Sequence, residues 1–156
     1  MKLNDQMPVP TGMISIVIRD AKTGKIKSQD LVKNMFVTAG KNSIADALRG
    51  TTSINKGIIT YCALGTGSTA PDLADTTLET ELDRKQISVR SVDGNIATFQ
   101  TFFNTSEANG TLLEAGLFGD AASDTADTGT LFARAAINRT KSSADTLTLS
   151  WAITIG

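Results

Sequence analysis

Thr146-Leu147-Thr148-Leu149-Ser150-Trp151-Ala152-Ile153-Thr154-Ile155 alternates large apolar residues with small ones and never breaks step. Successive side chains of an extended chain point to opposite faces, so this spacing predicts a half-buried strand. Leu147, Leu149, Trp151, Ile153 and Ile155 would face the core. A strand of that kind needs a sheet around it, and the rest of the chain supplies one. Met13–Arg19 has strand composition, Ala21-Lys22-Thr23-Gly24 supplies turn residues, and Lys25–Val32 returns as the second arm of a hairpin. Lys85–Val92 and Asn95–Phe103 flank Asp93-Gly94, a strong two-residue hairpin signal. Thr111–Phe118 and Thr130–Ile137 read as further strands, separated by Asp120–Gly129, whose small and acidic residues predict an exposed loop.

The stretch Ile58–Leu64 is apolar, rich in β-branched and aromatic residues, and too short for a stable helix, so it reads as a buried strand. It stops at Gly65-Thr66-Gly67, where two glycines permit a sharp exit with positive φ, and a polar loop through Pro71 follows. Asn34–Thr38 is extended, and Thr38 is placed to cap the single substantial helix, Ala39–Arg49. Ile44, Ala47 and Leu48 would lie on its buried face, and Gly50 would stop it. The fold class is mainly β: a single-domain β-sandwich or barrel-like fold of about eight to nine strands with one short helix. Residues 1–12, with Pro8 and Pro10, read as a flexible or partner-ordered arm, and 13–156 as one β-rich domain.

Composition narrows function. A chain of 156 residues, 40% hydrophobic and 20% charged, suits an ordinary globular domain. With 15 basic and 16 acidic residues it carries no electrostatic footprint for nucleic acid or an anionic membrane. No apolar run approaches the length of a membrane span, and Met1–Gly12 lacks the apolar centre of a signal peptide. The single cysteine, Cys62, has no internal disulfide partner and reads as a core hydrophobe in a chain made in a reducing cytoplasm. There is no histidine. That removes Ser-His-Asp and Cys-His catalysis and most zinc sites, so the expectation is a protein that is not an enzyme, without cofactor, metal or small-molecule substrate.

Some charges still ask for an explanation. Glu79, Glu81 and Asp83 alternate and would crowd on one face of an extended segment unless Arg84, Lys85 or a neighbouring subunit neutralises them. Glu114, between Leu113 and Ala115, is a carboxylate inside an apolar strand and needs a buried partner, with Arg84 or Arg134 as the candidates. Asp120, Asp124 and Asp127 could offer oxygens to Ca²⁺, but their spacing fits no established calcium loop. Gly65-Thr66-Gly67 lacks the Lys-Ser/Thr of a phosphate-binding loop. Gly65, Gly67, Pro71, Gly116 and Gly119 are therefore assigned to turns and structure.

Taken in order, several landmarks carry a resemblance. They are Asn34–Thr38, Ala39-Gly40-Lys41-Asn42, Ala63-Leu64-Gly65-Thr66-Gly67 and Leu78–Lys85, followed by Ser106–Gly110, Glu114–Phe118 and Gly129-Thr130-Leu131-Phe132-Ala133-Arg134. The series resembles small virion structural proteins of tailed bacteriophages related to the tail-collar and tail-fibre N-terminal modules, from about residue 13 to the C-terminus. The resemblance implies a self-associating structural module in a virion, touching other tail or capsid subunits and compatible with trimers or hexamers. The landmark order favours the tail. A free-standing chain ending at Gly156 favours the alternative, a capsid decoration (cement) protein clamping adjacent capsomers. A receptor- or carbohydrate-binding module is a further possibility, with only Trp151 and Tyr61 available to stack on sugars.

Overall fold

The alternating segment forms β9, Asp145–Thr154, third from one edge of a single antiparallel sheet in a computed structural model that describes residues 10–50 and 55–156. The other strands are β1 (Thr11–Asp20), β2 (Ile26–Phe36), β3 (Ile59–Gly65), β4 (Glu81–Gln86), β5 (Val89–Asp93), β6 (Ile96–Phe103), β7 (Gly110–Gly119) and β8 (Thr130–Lys141). The order across the sheet is β4-β3-β7-β8-β2-β1-β9-β6-β5. The fold is mainly β, as the sequence predicts.

The sheet curls because two places serve both halves. Strand β2 pairs with β1 from Ile26 to Asn34, and its last residues, Met35 and Phe36, pair with Arg134 and Ala133 of β8. At the other margin β4 and β5 are almost continuous in sequence. Ile87 donates its N–H to Thr60 O (2.9 Å) and Ser88 donates to Gln100 O (2.9 Å), so the chain steps from beside β3 to beside β6. The curled sheet encloses one core. Ile14, Ile16, Ile18, Phe103, Leu147, Leu149, Trp151 and Ile153 meet Cys62, Leu64, Leu112, Ala115, Leu117, Ala133, Ala135 and Ile137 from the facing strands. Ile155, the last of the alternating residues, lies beyond β9 and is exposed. Burial pushes the Cys62 thiol up to about 12, so it is an inert core residue.

Whereas Ala136, Asn138 and Thr140 of β8 are exposed, strands β3 and β7 and the first half of β8 are buried on both faces. Their second face carries a smaller cluster of Val37, Ala63, Leu78, Phe118 and Leu131. Helix α1, Thr38–Leu48, lies on that side, since Gly40 touches the backbone of Phe132. A Cβ on Gly40 would sit 2.6 Å from Phe132 Cα, so a close helix–strand contact requires glycine there.

Several boundaries and faces differ from expectation. Thr11 and Gly12, assigned to the arm, belong to β1, where Thr11 pairs with Thr154 and Gly12 with Ile153. The remainder of the arm, residues 1–9, lies outside the described residues. Thr38 is the first helical residue and Val37 the N-cap, with no side-chain capping bond. The helix buries Gly40 and Ser43, whereas Leu48 is 84% exposed. The helix approaches closely through small residues, and Ile44 packs against the core beside them as expected, whereas Leu48 does not. The expected Lys85–Val92 strand is broken at Ile87-Ser88 into β4 and β5, and the acid-rich segment around Glu81 forms part of β4. Among the described residues, no helix is long and apolar enough to cross a membrane.

Candidate functional site

Strands β3, β7 and β8 place Gly65 opposite Glu114, and Gly116 opposite Arg134. Glu114 is 1% exposed, and its carboxylate lies over the bare backbone of Gly65. A Cβ on Gly65 would come within 2.5 Å of Glu114 Oε1, as would one on Gly67. Neither glycine has positive φ. The sequence marks these positions correctly but for the wrong reason: they clear space for a carboxylate, and they do not make a left-handed turn. Gly116 is also a packing position, with Leu131 and Leu78 each 3.0 Å from where its Cβ would be. Gly119 leaves room for the Ile58 carbonyl.

Five donors converge on Glu114. Oε1 accepts the N–H of Gly67 (3.1 Å) and Thr80 (2.8 Å). Oε2 accepts the N–H of Glu79 (2.9 Å), Arg134 Nε (3.1 Å) and Arg134 Nη2 (2.8 Å). Arg134 continues outward, donating through Nη1 to Asp75 (2.6 Å) and through Nη2 to Thr69 O (3.0 Å). Burial works against the charge of Arg134, but the bonds to Asp75 and Glu114 outweigh it and hold the guanidinium above its ordinary pKa. Of the two arginines proposed for Glu114, the partner is Arg134. The buried pair fastens both ends of the loop between β3 and β4, and Pro71 lies on the part of that loop beside Val32 and Met35.

Arg84 does a parallel job with a different acid. It forks onto Glu81 through Nε (2.5 Å) and Nη2 (2.7 Å), with both side chains nearly sealed from solvent. Its Nη1 donates to Ser123 O and Thr128 O, each at 3.1 Å, which ties down the loop between β7 and β8. The guanidinium also lies 4.6 Å from the Phe118 ring centroid and 6.0 Å from that of Tyr61. The predicted crowding of Glu79, Glu81 and Asp83 is relieved separately. Glu79 accepts Thr69 N–H (2.7 Å), Asp83 accepts Ala108 N–H (2.7 Å), and Lys85 pairs with Glu107 instead.

A third tether was not foreseen. Asp120 accepts Ser43 Oγ (2.7 Å), the Gly57 N–H (2.8 Å) and Lys56 Nζ (3.0 Å), joining α1 to the sheet. Burial pushes this carboxyl up, but hydrogen bonding from Thr130, then from Ser43, Gly57 and Lys56, prevails and holds it below its usual range. Only the acid itself could have signalled this, because its partners come from distant segments. Asp120 is thereby committed to protein donors, and among the described residues no group of acids, histidines or cysteines could hold a metal ion.

The chemistry available at these sites is ionic fastening. The Glu114 carboxylate is filled by five donors, the three acids stand in separate networks, and Cys62 is a buried thiol. Trp151 is fully buried and offers no ring face for a sugar, and Tyr61 is half-buried with Arg84 6.0 Å over its ring. Compared with protein-family models, with curated proteins and with solved structures, the chain finds no match in any of the three.

Proposed function

We propose that the chain is a non-enzymatic structural protein of a tailed-phage particle, a self-associating β module of the tail, such as a fibre, collar or appendage component. The observation that carries the reading is the convergence at Glu114. The landmarks that resemble phage virion proteins are spread over the sequence, yet Gly65, Gly67, Glu79, Glu114 and Arg134, drawn from four of them, meet around one buried carboxylate. A pattern whose members serve a common fastening is a pattern of structure. Loops stapled by buried ion pairs suit a subunit that presents a fixed surface to neighbours in a particle.

Quantitative mass spectrometry of purified virions against the major capsid protein tests this. A few to a few tens of copies, in multiples of three or six, support the tail. Hundreds would replace that placement with capsid decoration, the alternative, in which the chain clamps adjacent capsomers. None would remove the chain from the particle.

A further inference from the structure

The half-sheet β2-β1-β9-β6-β5 has a second face that no part of the described chain covers. Leu31, Ser15, Ser150, Gln100 and Val89 form one row straight across it. Leu31 is 63% exposed, Val89 50%, and Phe102, in an adjoining row, 45%. The middle of the face carries no charge. Five strands at about 4.8 Å spacing and some nine residues long make a face of roughly 700 Å². Two such faces in contact bury about 1,400 Å², within the range of a specific protein–protein interface.

We infer that this face is the surface through which a second copy of the chain docks, sheet against sheet, about a two-fold axis running along β9. The inference deepens the self-association in the proposed function and names its surface. The argument for a second copy is self-complementarity. Strand β9 is central, so a two-fold along it lays β2 over the second copy's β5, and β1 over the second copy's β6. Leu31 then meets the second copy's Val89, and Val17 meets the second copy's Phe102, each contact made twice. Lys33 comes within one row of the second copy's Asp93. Both are exposed, and neither has an ion-pair partner among the described residues. A face that matches itself in apolar and charged positions favours its own copy over an unrelated partner.

The test is the mass of the purified full chain by sedimentation equilibrium at tens of micromolar. The expected value is twice the 16.4 kDa of one chain. Ser150→Lys puts two like charges against each other at the axis and is expected to give a folded monomer whose circular dichroism matches the wild type and whose melting temperature falls only by the lost association; Phe102→Ser is the milder second variant. Lys33→Asp and Asp93→Lys are each expected to weaken association by about tenfold, and the two together to restore most of it. A monomeric wild type, an oligomer indifferent to Ser150→Lys and Phe102→Ser, or a double variant weaker than either single one overturns the inference. The particle role is read separately. A monomer counted in virions removes the interface and keeps the role, whereas a dimer absent from virions does the reverse.

Discussion

Strands β3, β7 and β8 and strands β1, β9 and β6 belong to one sheet and share one core, but they meet the outside differently. On the first group a helix and two loops cover the outer face, held by Glu114–Arg134, Glu81–Arg84 and Asp120 with its donors. On the second group the outer face is Thr, Ser and a few apolar side chains, with none of the described residues over it. The difference shows in the sequence pattern. Strand β9 alternates because one face is dry, while β7 from Leu112 and β8 from Leu131 to Ala135 run almost continuously apolar because both faces are. Charges inside such two-sided strands survive only where they fasten something. Here each fastens a connection that would otherwise be free to leave.

Removing one partner of a buried pair leaves the other charged and dry, so Glu114→Ala is expected to cost about 3–5 kcal/mol in urea unfolding. If that variant loses less than about 1 kcal/mol, which is closer to an exposed pair, the covered half is not held as described. Leu149→Ala is expected to cost about 2–5 kcal/mol, as for any well-packed core leucine, and so tests the core common to both halves. A loss below about half a kcal/mol would put the wrong face of β9 inside.

Asp145 offers a smaller effect, confined to acid. The bond from Lys27, and then those from the Ser142 hydroxyl and N–H, hold its carboxyl at about 2. A depressed carboxylate stabilises the fold fully above its unfolded pKa of about 4 and loses that contribution as pH falls toward 2. The stability gap between wild type and Asp145→Asn should therefore narrow from pH 4 to pH 2. A gap that stays constant or widens would contradict the assignment. Smallest of all, Leu31→Ser on the open face should change single-chain stability by no more than about half a kcal/mol. A larger loss, measured where the chain is monomeric, would mean that the open face is covered after all.

What could be read in advance follows the same divide. The open half was legible because period-two spacing and a turn at Asp93-Gly94 are local signals, although Asp93 pairs with Ile96 and the two turn residues are Gly94-Asn95, one position later than expected. The covered half was legible as strands but not as contacts. Glu114 announced that it needed a partner, yet choosing between Arg84 and Arg134 requires the pairing of β8 with β7, which no local pattern carries. Gly65 and Gly67 stood out as glycines, but the carboxylate they make room for lies nearly fifty residues along the chain. The helix misled because hydrophobic spacing points to Leu48, whereas close approach to Phe132 selects Gly40.

Glu114 as the keystone of the covered face is tested most directly by amide hydrogen exchange at Gly67, Glu79 and Thr80. These N–H groups lie in the loop between β3 and β4 or at its end, and the acceptor each one has is the Glu114 carboxylate. All three are expected to exchange slowly in the wild-type chain and to lose their protection together in Glu114→Gln, while the amides of β9 stay protected. Fast exchange in the wild type, or protection unchanged in the variant, would contradict it.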